Sequence, residues 1–383
     1  MTKFVLRRVV RGLLALVLFQ TLLFALIHAL PYDFSAFVLA TPGWRAFIQR
    51  EFGLDRPLLK QYVTWLLGFA RFDLGASYQH WPTPVSAILL ERLPRTLLLF
   101  LPAALLAYLL GMWLGKTIAW RRGGGIEVGV TLGAVVSYTS FAPWLGFLAI
   151  NVFGWHLGWL PYRRLVDHNV WFRAPVSVNW ILARMVLTGT MVSLTLLLLR
   201  RVTRRIDIGP RRCASRMGGL LIVGIGTWWG WSQSGVGHLA VDVLAHLVLP
   251  LGTVVLLSLG ETMLTMRTSM LDTLNEDYVT MARAKGLPDR VIRDRHVARN
   301  AILPVLTQMA LSLPFVLVGS LIIEWVFMWH AMGATIFSAI EYQDIPVLMG
   351  ILSVVGVLAL VAHVVLDVLY AYLDPRVRYQ GGK

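Results

Sequence analysis

The sequence predicts an all-α polytopic membrane protein of about eight transmembrane helices. Three observations carry the prediction. Hydrophobic residues make up 57% of the 383 positions and charged residues only 14%, against roughly 25% charged in an average soluble domain. Apolar runs of about 20 residues, the length that crosses a bilayer as a helix, recur along the chain. Lys and Arg gather in alternate connections between those runs. A formal net charge of +15 also suits nucleic-acid binding, but these basic residues flank apolar runs, which points to membrane lipid and away from nucleic acid. The one cysteine, Cys213, excludes an intrachain disulfide.

The first span is Gly12 to Leu30, preceded by Lys3, Arg7, Arg8 and Arg11. A secretory signal has a shorter apolar region and a small-residue cleavage site, so the expectation is an uncleaved span with its N-terminus inside. Pro31 to Arg95 carries mixed charge, and Phe47 to Gly75 has the periodicity of an amphipathic helix lying outside the bilayer. Thr96 to Ile118 is the second span. Its Gly115-Lys116-Thr117 is separated from Gly111 by three residues, where a phosphate-binding loop needs four between the glycines, and no strand precedes it. Gly111 and Gly115 fit a close helix contact instead, and Gly125, Gly129 and Gly133 suggest the same for the third span, Ile126 to Ile150.

Trp155 to Ser177 is exterior and rich in interfacial aromatics. Asn179 to Leu199 and Met217 to about Val236 form an inserted hairpin around the Arg-rich turn Arg200 to Arg216, with Arg184 snorkelling near the outer end. Both limbs cross or neither does, and a re-entrant or surface-lying hairpin is the alternative. Val243 to Met266, Ala301 to Phe327 (kinked at Pro304 and Pro314) and Val347 to Leu366 complete the spans. The chain thus divides into 1–93, a core 94–373 interrupted by the hairpin at about 176–240, and a tail 374–383.

No nucleotide loop, GxSxG elbow or HExxH motif occurs, so no catalytic residue is assigned. His238 and His246 lack further donors at ligand spacing, so no metal site is assigned either. Glu261 and Asp367 are ionisable groups within or beside apolar runs, which makes them path candidates; solvation from the inner face is the plainer account.

The segment Glu276 to Pro304 joins two apolar runs and carries both signs of charge. From Met270 to Lys285 the residues Leu271, Leu274, Tyr278, Met281 and Ala282 recur at helical spacing, and Gly286 with Pro288 stops the helix. A second short helix, Arg290 to Asn300, sets Val291, Ile292 and Val297 against Arg293, Arg295 and Arg299. Helix, tight turn and helix lie along a membrane surface.

This string, DYV..ARAKGL followed by RH..RNA.LPV, resembles the coupling loop, here about 270–300, of permease subunits in the dipeptide, oligopeptide and nickel family of ABC importers. Thr280 and Met281 replace the Glu-Ala of the general signature, Ala282 and Gly286 are kept, and Leu303-Pro304 is reached over a longer gap that resembles the peptide branch. Further resemblances are Gly53 to Pro57 with Gln61, Tyr62, Trp65 and Asp73 to Gly75; Leu157 to Pro161; Glu324 with Gly333; and Asp374 to Arg378. Phe72 and His330-Ala331 depart from the family pattern.

The resemblance implies a type I ABC importer permease-like bundle, a non-catalytic subunit forming half of the path for peptides or a related small solute. It implies a prokaryotic inner-membrane location, and the one-sided clustering of Lys and Arg sets the expectation that both termini and the coupling loop are cytoplasmic. Its partners are a second homologous permease chain, two ABC ATPase subunits and an extracytoplasmic solute-binding protein. No cofactor is bound by this chain; ATP and Mg belong to the ATPases. In the coupling element Tyr278, Met281, Ala282, Ala284 and Leu287 meet an ATPase groove, Gly286 makes the bend, and Glu276, Asp277, Arg283 and Lys285 form a charged rim. The rival expectation is a secondary transporter or channel without ATP coupling, which calls for inverted repeats or broken midplane helices, and no such symmetry is evident.

Overall fold

The computed structural model describes residues 2–29, 50–121, 123–203, 209–318 and 320–373; side chains are described outside 2–6, 200, 202–217, 313–318 and 365–373. Residues 204–208 of the Arg-rich turn, the tail 374–383, and the side chains of Cys213, Pro314 and Asp367 therefore lie outside the described residues.

The described chain is helical. In order come α1 (Thr2–Ala29), α2 (Leu58–Ala70), α3 (Val85–Trp120), α4 (Gly125–Thr139), α5 (Ala142–Ala149, continuing as π-helix Ile150–His156), α6 (His168–Trp171), α7 (Val178–Thr203), α8 (Gly209–Gln233) and α9 (Gly237–Leu274). Then follow α10 (Asp277–Ala284), α11 (Asp289–Val291, continuing as π-helix Ile292–Val297), α12 (Ala298–Val318), α13 (Leu321–Val326), α14 (Met332–Glu341) and α15 (Ile345–Leu373).

Among the described residues five helices are long and apolar enough to cross a membrane: α1, α3, α7, α9 and α15. The pair α4–α5 makes a sixth if it counts as one span. The expected eight are thus not all reached by length and hydropathy. The α8 helix has 25 residues but opens with Gly209-Pro210-Arg211-Arg212 and is interrupted by glycines. The third expected span is not one rod: it breaks at Ser140, whose backbone is extended, and restarts at Ala142-Pro143, so the limbs meet at 106°. Proline is favoured in a first helical turn, where its missing N–H is no loss.

The bundle is organised on α3 and α9, which lie along one another more extensively than any other pair. Gly111 and Gly115 permit this. A Cβ on Gly111 would stand 2.7 Å from the Thr262 Cβ, and one on Gly115 would stand 2.5 Å from the Met263 carbonyl oxygen. The parallel expectation for Gly125, Gly129 and Gly133 is corrected: an added Cβ there meets nothing within 4 Å. The close approach of α4 to α9 is made by Gly260, set against the Ala134 backbone.

At one end of the bundle, Trp329, Phe327, Leu99 and Leu182 form a buried cluster with Val243 and Leu247. Two buried carboxylates serve as helix caps there. Glu324 accepts from the Gly333 and Ala334 amides at the start of α14 (3.2 and 2.7 Å), and Asp344 accepts from the Val347 amide at the start of α15 (3.4 Å) while also holding the loop amides of Tyr78 and Gln79 (3.0 and 3.2 Å) and Ser77 Oγ. In the expected amphipathic segment, α2 buries no residue and turns Leu59, Val63 and Leu67 outward at helical spacing.

The inserted hairpin is present as α7 and α8. Arg184 does not snorkel: its guanidinium lies over Trp231 at 4.5 Å and Trp180 at 5.3 Å, and it donates to the Gly230 carbonyl at 3.0 Å, joining the two limbs.

Candidate functional site

The loop between α9 and α12 lies at the end of the bundle opposite Trp329. α9 does not run on to Lys285 as the apolar spacing suggests. It stops at Leu274, turns through Asn275 and Glu276, and α10 begins afresh. Asp277 in its first turn and Arg283 in its last complement the helix dipole.

The turn at Gly286 has the hydrogen bonding that lets a helix reverse sharply. The Leu287 amide donates to the Ala282 carbonyl (3.3 Å) and the Gly286 amide to the Arg283 carbonyl (2.9 Å), with Gly286 at φ +72°. Both bonds satisfy carbonyls that the helix end leaves open, and glycine takes a left-handed conformation without a Cβ penalty. Leu287 packs back into the apolar cluster that holds Ala282.

The return leg differs from the expected separate helix. From Asp289 the backbone passes through α11 and the π-helical Ile292–Val297 directly into α12, with no interruption. π-Helical turns of this kind recur at functional sites. α12 runs through Pro304 as part of one helix.

Two faces result. Val279, Ala282, Ile292 and Val297 are buried against Met266, Met270 and Leu274 of α9, Tyr108 and Ala119 of α3, and Ala301 and Val305 of α12. Tyr278 is half-buried, and its hydroxyl accepts from Asn300 Nδ2 at 2.8 Å. Met281 is 61% exposed, and Glu276, Asp277, Thr280, Arg283, Ala284, Lys285 and Gly286 are exposed with it. This corrects the expected docking face: Ala282 points into the chain's own core, while Tyr278 and Leu287 are half-turned toward it. The break at Asn275 resets the helical phase, so spacing counted continuously from Met270 assigns the wrong face. Val279, which that count passed over, is fully buried.

An ion pair ties the return leg to α3. Lys116 Nζ lies 3.0 Å from Asp294 Oδ1, and Arg293 grips the same carboxylate through two 2.9 Å bonds. The Arg293 hydrogen bonds first, then Lys116, hold the Asp294 carboxyl down at about 2, against a smaller opposing effect of burial. Nothing local in the sequence announces this pair. The lysine that imitates a phosphate-binding loop has a carboxylate partner on another element instead. Nearby, Arg267 of α9 bonds to Glu127 of α4 at 2.5 Å.

Among the described residues no three His, Cys, Asp or Glu side chains gather as a metal site. His246 Nδ1 is 2.9 Å from its own helix at the Asp242 carbonyl and 3.3 Å from the Asp242 carboxylate.

Comparison with known proteins gives two family models. Residues 95–379 match one described as "Binding-protein-dependent transport system inner membrane component", and residues 1–100 match the N-terminal model of the same membrane component. The oligopeptide transport system permease protein AppB of Bacillus subtilis (strain 168) is 26% identical over 99% of this chain and 100% of its own length. A protein of Escherichia coli (strain K12) named "Probable D,D-dipeptide transport system permease protein DdpB" is 30% identical over 94% of this chain and 93% of its own.

Proposed function

Because the chain belongs to the family of binding-protein-dependent transport system inner membrane components, and is thereby a multi-pass permease subunit of an ABC importer, we propose that the loop centred on α10 is where a cytoplasmic ATPase drives it. The observation that carries this reading is the two-faced loop. Its inner face is locked onto α3, α9 and α12, and its outer face presents Met281, Ala284 and Gly286 within a rim of Glu276, Asp277, Arg283 and Lys285.

An apolar centre with a charged rim is the composition of a protein-binding patch. ATP and Mg are held by two such ATPases, one for this chain and one for a second permease chain, and an extracytoplasmic binding protein delivers the solute. The loop, both termini and the Arg-rich turn then lie on the cytoplasmic side, in keeping with the clustering of Lys and Arg. Peptides are the solute class, as the names of the relatives suggest. Closure of the ATPases displaces α10, and the spans on either side tilt, with Pro304 and Pro314 as bending points.

A Met281→Cys variant tests this. In the assembled transporter it is expected to cross-link to the ATPase, while Val279→Cys, on the buried face, does not. Equal cross-linking of both, or of neither, would falsify the docking face.

A further inference from the structure

Along the half of α9 nearer the coupling loop, Ser258, Glu261, Thr265, Thr268 and Asp272 recur at intervals of three and four, which places them on one helix face. That face is not the packing face. Gly260, Thr262, Met263 and Met266 are buried against α3 and α4, whereas Glu261, Thr268 and Asp272 are exposed and Ser258 and Thr265 half-exposed. The polar stripe spans about 20 Å of helix at about 1.5 Å per residue. It ends at Asp272, beside the coupling loop.

The threonines alone decide nothing. Thr265 Oγ1 donates to the Glu261 carbonyl (3.0 Å) and Thr268 Oγ1 to the Leu264 carbonyl (2.9 Å), so their hydroxyls are satisfied within the helix and tolerate lipid. Glu261 has no such exit. Its carboxylate makes no hydrogen bond or ion pair among the described residues: its electrostatic neighbour, the Tyr108 hydroxyl of α3, is bonded to Ser312 Oγ at 3.0 Å, and the one arginine of α9, Arg267, is held by Glu127. A carboxylate in an apolar span faces water, a counter-charge or the bundle interior, not acyl chains. The stripe's continuity to the water-exposed loop selects water.

We propose that this face of α9 lines the water-filled inner part of the translocation path, and that Glu261 contacts the solute there, holding the protonated amino group or cationic side chain of a peptide in transit. This rests on the permease reading, and the same carboxylate disfavours anionic solutes.

The test uses the whole transporter, with its ATPases and binding protein, in a Cys213→Ser background, labelled in inside-out vesicles and assayed for uptake in right-side-out vesicles loaded with ATP. Glu261→Cys, Thr265→Cys and Thr268→Cys are expected to react with a charged, membrane-impermeant thiol reagent. Leu244→Cys and Val248→Cys, on another exposed face of α9, react only with a lipid-soluble one. Glu261→Gln is expected to lower uptake of tri-lysine relative to tri-alanine by about tenfold, the scale of one charge-assisted hydrogen bond, with Glu261→Asp partly restoring it.

The proposal is overturned if the thiol of the Glu261→Cys variant is reached only by the lipid-soluble reagent, if Glu261→Gln lowers both uptakes equally, or if it separates the two permease chains, which would make Glu261 an interface residue. Failure of the permease reading itself shows differently, as absence of ATP-dependent uptake in the unmodified transporter.

Discussion

Replacing Gly286 separates the cost of the turn from the cost of docking. Its φ of +72° penalises any residue with a Cβ by about 1–2 kcal/mol. An added Cβ meets nothing within 4 Å, so no steric cost within the chain is added to that backbone cost. Gly286→Ala and Gly286→Trp should therefore loosen the loop to the same extent, read as hydrogen exchange of the Gly286 and Leu287 amides, and Gly286→Asn by less, since Asn tolerates this conformation. Retention of the ATPases during purification should divide them: the alanine variant keeps most, and the tryptophan variant, with its bulk beside Met281 and Ala284, loses them. If Gly286→Trp retains the ATPases and transports as Gly286→Ala does, the loop is not the docking element. If the two differ in hydrogen exchange, the space around Gly286 has been misjudged.

Other outcomes follow from the contacts. Lys116→Asp or Asp294→Lys should each lower the solute carried per ATP by about two- to fivefold, the range of a partly exposed pair, and the double exchange should recover part of it. With the Asp294 pKa depressed to about 2, the pair's contribution is complete above the ordinary carboxylate range and lost only as pH falls through about 2, so the Lys116→Asp effect should be flat from about pH 5 to 9. A slope across that interval counts against the pairing. Gly115→Leu, which must displace the Met263 backbone, should destabilise by at least about 1–3 kcal/mol, while Gly129→Leu, with open space, should stay within about 0.5 kcal/mol in a thermal-stability assay. Arg184→Ala should loosen the end of α8, seen as faster hydrogen exchange in Trp228 to Trp231 with α9 unchanged, because Arg184 ties that end to α7 through the Trp231 ring and the Gly230 carbonyl.

The spans were legible wherever one physical rule decides them. Apolar length located α1, α3, α7, α9 and α15, and the helix stop at Gly286 followed from the left-handed conformation that glycine alone adopts freely. The glycines of α3 could be read as a contact because Gly111 and Gly115 stand one turn apart on one face. The glycines of α4 carry the same spacing and make no contact, since spacing says nothing about which neighbour arrives. The bend at Ser140 had a sign in Pro143, outweighed by the unbroken hydropathy around it. The break at Asn275 had none, for neither Asn275 nor Glu276 forbids helix, and the error of phase that followed misplaced Ala282. Lys116 and Asp294 are brought together by tertiary packing alone, so no local pattern pairs them.

The two legs of the loop are joined to the membrane differently. Asn275 and Glu276 separate α10 from the span before it, whereas Asp289 to Val318 is unbroken helical backbone. A push delivered at Met281 would pass to α9 across the break at Asn275 and Glu276, and to α12 across the bend at Gly286 and then along one unbroken shaft. On the proposed coupling both neighbouring spans tilt, and the uninterrupted shaft that leads into α12 is the stiffer of the two levers.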